Sequence, residues 1–306
     1  MKGKVRSKRN FLVVVTIVLG IALASVGTAY AITNGQPDGN DHPYVALLVF
    51  GEETDDGFVP YWRCSGSLIA PDVILTAGHC TDGATGVRVW FDEGPIPWGT
   101  WNPSANPTCE GETGYPCTGD AKGTPHTNPK FRSDENPYGG GNGLPAFSYR
   151  DVGVVVLNEP VHMDEYGELP DPGIVDTLKN KTDVDFVGYG VQYQAQIPGK
   201  WLPQPPPYYR WTGPRVRMYA PSAMVSGKFV HSDEFLMLSL NPGRGQGGTC
   251  FGDSGGPDLL ADTNTVLGVN SYVTNHNCAG VGYSSRVDIP EVLEWINSYL
   301  QHDVAY

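Results

Sequence analysis

Eight short runs rich in β-branched and aromatic residues constrain this chain more than anything else in it: 44–50, 67–75, 87–91, 152–157, 184–189, 215–225, 235–240 and 266–272. Turn-forming segments separate them, drawn from 39 glycines and 26 prolines in 306 residues. Stretches with a helical period are nearly absent. Many short strands between Gly/Pro turns predict an all-β barrel or sandwich, in one large domain or two small ones. Two weakly patterned tracts, 92–150 and 197–214 (the latter with Pro205-Pro206-Pro207), read as long surface loops, because strand signals resume on each side. One helix is expected at the end. Asp288 can cap it, Pro290 suits its first turn, and Glu291 sits three after the cap. Val292, Trp295, Ile296 and Tyr299 recur at three and four, so one face should dock on the body.

The first 31 residues follow a different pattern. Lys2, Lys4, Arg6, Lys8 and Arg9 precede a nearly unbroken apolar stretch, 11–26, and Ala29-Tyr30-Ala31 supplies small residues two apart. That order is the pattern of a secretory signal peptide. The alternative is an uncleaved anchor, but the apolar stretch falls just short of a spanning length and the A-x-A site favours cleavage. Losing the five leader bases would leave 15 basic against 33 acidic residues, a net charge of −18. A strongly acidic, secreted chain is not a nucleic-acid binder, which needs clustered Lys and Arg. No later segment is apolar enough to span a bilayer.

Six cysteines follow the leader: Cys64, Cys80, Cys109, Cys117, Cys250 and Cys278. An even count in an oxidising context reads as three disulfides, with 15 possible connectivities. No C-x-x-C and no Cys/His cluster has zinc spacing, so neither a metal nor another cofactor is expected.

Three local stretches carry chemistry. "LTAGHC" (75–80) places His79 straight after an apolar strand, "SYRDVGVVVL" (148–157) sets Asp151 at the mouth of another, and "TCFGDSGGP" (249–257) puts Ser254 among glycines. A serine hydroxyl needs a base within hydrogen-bond reach, and the base needs an acid to fix its tautomer and stabilise its cation. Glycines around the serine let backbone N–H groups point at a developing oxyanion. "GDSGG" also satisfies G-x-S-x-G, the nucleophile elbow of α/β-hydrolases. That fold requires the order Ser, acid, His and a helix after the serine. Here only His276 and His302 follow Ser254, and the opposite order holds.

With "TAGHC", an Asp opening "DVGVVVL", and "GDSGGP" in that order, the chain resembles the chymotrypsin/trypsin-like serine proteases. The resemblance runs from "ITNG" at 32 through "VGYG" (187–190) and "SRV" (285–287) to the terminal helix. It implies two packed six-stranded antiparallel β-barrels with the site between them. The first barrel would span about 32–175, the second about 176–287, and the helix 288–302. His79 would be general base and acid, Asp151 its orienting partner, and Ser254 the nucleophile. The N–H groups of Gly252 and Ser254 would form the oxyanion hole. Gly153 stands where the family more often has Ala. The resemblance also pairs Cys64 with Cys80 and Cys250 with Cys278. Cys109–Cys117 has no counterpart, and its spacing suits a local staple in the 92–150 tract.

For specificity, the resemblance puts Gly248 at the base of the primary pocket, followed by Thr249, so no carboxylate waits there for a basic side chain. Ser271-Tyr272-Val273 matches the wall that pairs with the substrate backbone. Val273, where Gly is usual, narrows the mouth, and Gly282 keeps the far wall open. Cleavage after small to medium apolar residues is therefore expected. In this family the mature chain begins with an apolar residue whose α-ammonium pairs with the Asp before the nucleophile, here Ile32 and Asp253. Because Ile32 directly follows Ala31, leader removal itself would free that end. The expected product is a secreted monomeric endopeptidase acting on polypeptides and met by protein protease inhibitors, with no membrane contact after leader removal. The competing reading is an inactive homologue acting as a secreted binding protein; such proteins usually lose one of the three residues, and all three are present here.

Overall fold

The apolar run Val45–Phe50 is buried at every residue, as expected of a strand covered on both faces. The computed structural model describes residues 32–96, 119–131, 149–196, 209–212, 215–225, 233–275 and 277–300. The leader, Cys109 and Cys117, and most of the two weakly patterned tracts lie outside them.

The first half closes on itself. Strands β2 (Val45–Thr54), β3 (Gly57–Ala70), β4 (Val73–Thr76), β5 (Gly86–Trp90), β6 (Ala121–Thr127) and β7 (Gly153–Leu157) form a closed barrel in the order β2-β3-β4-β7-β6-β5, every pair antiparallel. Closure leaves no free strand edge. The run 67–75 is two strands rather than one, broken by a turn at Pro71-Asp72. Strand β6 falls inside the tract read as a loop. Its sequence, AKGTPHT, has no apolar alternation, and its place is set by pairing with β5 and β7 on either side.

The second half is a curled sheet of seven strands. It contains β1 (Gln36–Pro37), β8 (Asp183–Gly188), β11 (Met218–Ala223), β12 (Phe235–Leu240), β13 (Pro257–Leu260), β14 (Val266–Val273) and β15 (Gly280–Arg286), in the order β1-β11-β8-β13-β14-β15-β12. Six of these are the expected barrel strands. The curl brings the end of β11 back to β12, and among the described residues an isolated bridge, Met224 to Leu238, joins them. A separate hairpin joins β9 (Tyr193–Gln196) to β10 (Tyr209–Thr212) at the border of the Pro-rich tract. One apolar cluster fills the first barrel and runs into the second through Val187, Leu259, Val266 and Val269. A smaller one fills the second barrel around Phe186, Met218, Leu236 and Leu238.

The terminal helix runs Pro290–Leu300, here α2, after the single turn α1 (Gly78–Thr81). Val292, Leu293 and Ile296 are buried in the first barrel's cluster, while Trp295 and Tyr299 pack half-buried beside it. Asp288 does not cap this helix. It is fully buried, bonded by the Arg286 guanidinium (2.9 Å) and by the Val175 N–H (2.9 Å). An arginine two residues away offers it a charge-assisted partner stronger than a helix N–H. No described helix is long and apolar enough to cross a membrane.

One buried group works against stability. Asp258 on β13 is fully buried, and neither carboxyl oxygen accepts a hydrogen bond of normal geometry. Burial pushes its pKa well up, and the nearby Ser284 hydroxyl only partly offsets that. The folded state therefore holds a proton that the unfolded chain releases above about pH 4, so this residue lowers stability as pH rises. Asp258→Asn should raise Tm by several degrees at pH 7, equivalent to about 1–3 kcal/mol. At pH 3.5 the two proteins should melt within about a degree of each other, since the group is protonated in both states. Equal Tm differences at both pH values, read by calorimetry, would contradict this.

Candidate active site

Strand β4 ends at Thr76, which pairs with Gly153 at the start of β7, so α1 presents His79 directly beside the residues that open β7. Asp151, the second residue before β7, is fully buried. Three donors converge on its carboxylate. The His79 backbone N–H donates to Oδ1 at 2.7 Å, the His79 Nδ1 lies 2.8 Å from Oδ2, and the Ser271 hydroxyl donates to Oδ2 at 2.5 Å. A carboxylate only accepts, so Nδ1 carries the ring proton and Nε2 is left as the basic nitrogen. Gly153, the departure from the family's Ala, has a packing cause. A Cβ there would fall 2.6 Å from Thr81 Oγ1 and 2.8 Å from the Ala77 carbonyl; Thr81 already fills that space.

The 248–256 loop is held by its carbonyls. The Val191 N–H donates to the Phe251 carbonyl (2.9 Å), and the Gly256 N–H donates to the Asp253 carbonyl (2.9 Å). In a trans peptide the C=O and the next N–H point in opposite directions. The N–H groups of Gly252 and Ser254 therefore point opposite to the anchored carbonyls of Phe251 and Asp253. Ser65 on β3 tightens the same loop from the first barrel: its hydroxyl donates to the Gly252 carbonyl (2.9 Å) and its N–H to the Ser254 carbonyl (2.8 Å). Gly252 has φ +98° and Gly255 φ +77°, the left-handed region that side chains resist. A Cβ on Gly255 would also strike Thr76 and Ala77.

His79 and Ser254 line one pocket of about 130 Å³, with Thr249, Cys250, Phe251, Asn270, Ser271, Tyr272 and Val273. Thr249, Ser271, Tyr272 and Val273 were expected there. Gly248 and Gly282 are not among the lining residues; a Cβ on either would meet the Leu240 side chain on β12. None of the described residues lining the pocket is a carboxylate. Its rim carries Phe251, which is 45% exposed. The disulfides Cys64–Cys80 and Cys250–Cys278 are formed, with Cα separations of 6.2 and 5.3 Å. The first lies beside His79, and its sulfurs offer no thiolate to a metal.

Asp253, adjoining Ser254, is fully buried. Its carboxylate accepts the Gly190 N–H at 2.7 Å and the Cys250 N–H at 2.9 Å. Burial pushes its pKa up to about 7, against the pull of those two N–H groups and of the Arg63 charge. Ile32 is also fully buried, among the second barrel's apolar residues. Thr33 next to it exchanges two backbone hydrogen bonds with Gly248, at 2.8 and 2.9 Å. The segment that follows Ala31 is thus threaded into the second barrel beside the loop that carries Asp253.

A closed barrel and a curled second sheet, with a histidine–carboxylate pair and Ser254 at one pocket, make the arrangement that a chymotrypsin/trypsin-like fold implies. The family model "Trypsin" matches residues 32–97 and 129–296. The chain belongs to the trypsin family of serine proteases. Among curated proteins, Serine protease 1 of Drosophila melanogaster is 25% identical over 268 residues, covering 87% of this chain and 84% of that protein. Trypsin theta of the same organism is 26% identical over 306 aligned residues, covering 92% and 96%. Among solved structures, HL collagenase superposes with a TM-score of 0.55 at 19% identity, covering 85% of this chain and 94% of its own. Human heparin binding protein gives 0.52 at 16% identity, covering 89% and 98%. At these identities the structural likeness shows the fold alone.

The sequence did not point to Ser271 as a hydrogen-bond donor to Asp151, to Ser65 as the brace of the Gly252 loop, or to Asn270 and Phe251 in the pocket. These partners meet through space from strands far apart in the chain. Their only sequence signal is proximity to a recognised motif.

Proposed function

We propose that this chain is a secreted serine endopeptidase that cleaves polypeptides through an acyl-enzyme, after apolar rather than basic residues. The observation that carries the reading is the convergence of three donors on Asp151, which leaves His79 Nε2 basic on the pocket that Ser254 also lines. In the first step Nε2 takes the Ser254 proton as Oγ attacks the scissile carbonyl. The resulting oxyanion is met by the Gly252 and Ser254 N–H groups, and the Asp151 carboxylate stabilises the imidazolium without taking its proton. His79 then returns the proton to the leaving amine. Water repeats the sequence on the ester and frees the acid.

Residues 1–31 act in this reading as a signal peptide and 32–306 as the protease unit. Secretion suits the two formed disulfides. Removal of the leader would give Ile32 an α-ammonium, which would neutralise buried Asp253; without a partner such a carboxylate costs several kcal/mol, of order 3–5. Ile32's burial and the Thr33–Gly248 bridge support this role. The enzyme works as a monomer on polypeptides, and protein inhibitors of this family are its natural partners.

The apolar preference rests on a small pocket whose described lining residues include no carboxylate, narrowed by Val273. Peptide substrates that differ only in the residue before the cleaved bond test it. Ala, Val or Leu should exceed Lys or Arg by about tenfold or more in kcat/KM, the discrimination one or two buried methylene groups or an unpaired charge produce. Preference for Lys or Arg would overturn the specificity reading, and hydrolysis of none of the panel would overturn the enzymatic one.

A further inference from the structure

Arg63 has no role in the mechanism above, yet its guanidinium sits against the loop that mechanism depends on. A Cβ built on Gly252 would lie 3.0 Å from Arg63 Nε and 3.4 Å from its Cζ. Its Nη1 is buried and accepted by no hydrogen-bond partner among the described residues. A buried guanidinium nitrogen without an acceptor is costly unless its charge is used nearby. Asp253, the residue after Gly252, is an acid on which that charge acts favourably.

Among the described residues, the surroundings of Asp253 contain no other cation. Three elements pack on it: β3 with Arg63 and Ser65, the end of β8 and its turn with Gly188 and Gly190, and the 248–252 loop. The segment 32–35 threads alongside. Of the described side chains these elements bring, Arg63 is the only cation; Asp183 and Asp185, earlier on β8, are acids, and Tyr189 is a phenol. While any residue precedes Ile32, that residue contributes an amide and no charge.

We propose that Arg63 is a positioning residue that serves as the counter-charge of Asp253 whenever the α-ammonium of Ile32 is not free, so that the N-terminally extended protein keeps part of its activity instead of being silent. The inference rests on the reading of Ile32, Asp253 and Ser254 given above. Ordering of the Gly252–Ser254 loop in the extended protein then follows ionisation of Asp253. Raising the pH through the neutral range switches the extended form on, and the Arg63 charge keeps that switch from lying higher still.

The experiment compares two forms, one beginning at Ile32 and one carrying Ser-Gly before Ile32, each with Arg63, Arg63→Gln or Arg63→Lys. The readout is kcat/KM against pH on one apolar peptide substrate. In the extended form Arg63→Gln should move the rising limb upward by about one pH unit, the size of shift a lost neighbouring charge produces. Arg63→Lys should restore most of it. In the form beginning at Ile32, Arg63→Gln should leave the limb in place, because the α-ammonium supplies the charge. An equal shift in both forms would overturn the proposal, since Arg63 would then act on His79 or on the oxyanion directly. So would an unmoved limb in the extended form, or an extended form inactive at every pH. Inactivity of the form beginning at Ile32 would instead overturn the reading of the site itself.

Discussion

Ser254→Ala is expected to lower kcat by about a million-fold while leaving KM within a few-fold, the loss typical when the nucleophile of such a unit is removed. The argument is local. The hydroxyl is the only atom group lost, and the loop around it is held by bonds the substitution spares: Ser65 to the Gly252 and Ser254 carbonyls, Val191 to Phe251, and Gly256 to Asp253. The pocket keeps its shape, and substrate still binds. Residual catalysis of about 10³–10⁴ over water should persist, because the turned N–H groups of residues 252 and 254 remain. Steady-state kinetics with the purified variant, beside a melting curve matching the parent's, checks this. A loss of only tenfold would contradict the assignment.

Asp151→Asn should cost about 10⁴-fold in kcat, again with little change in KM, as when the orienting carboxylate of such a set is made an amide. The geometry here gives the reason. Asp151 accepts from the His79 backbone, the His79 ring and Ser271 at once. An asparagine has one acceptor oxygen and one NH₂ donor, so it cannot satisfy all three. If the NH₂ faces the ring, Nδ1 must become the acceptor and the proton moves to Nε2, where the base is needed. If the oxygen faces the ring instead, the NH₂ meets the backbone N–H in a buried site. Kinetics at saturating substrate reads the effect, and imidazole NMR reports which nitrogen carries the proton. A variant with near-parental kcat would remove Asp151 from the mechanism.

The parts of the molecule that could be read from sequence are those whose signal is local. Phe235–Leu240 and Val266–Val273 form strands because β-branched and long apolar residues suit a pleated surface facing a core. Val45–Phe50 reads equally well for the same reason. β6 and β15 could not be read. AKGTPHT and GVGYSSR are poor in apolar residues, and each is a strand because its neighbours on both sides require a partner. The same holds for the way the second sheet curls to bring β11 back to β12, which depends on the whole ladder rather than on any one run.

The site divides along the same line. His79, Asp151 and Ser254 stand in short motifs whose glycines and flanking strands are contiguous in the chain. Ser271, which donates to Asp151 from 120 positions away, has no such motif, and neither does Ser65, which braces Gly252 from 187 positions away. Asp288 shows the hazard of local reading. Its spacing matches a helix cap, yet Arg286 two residues earlier takes its carboxylate.

The central claim is that Ser254 is a nucleophile activated by His79. Treating the protein that begins at Ile32 with an organophosphate reactive only toward activated serines, then mapping the adduct by mass spectrometry, tests it most directly. A single adduct on Ser254, absent from Ser254→Ala, is the predicted result; no adduct, or labelling that persists in Ser254→Ala, would contradict it.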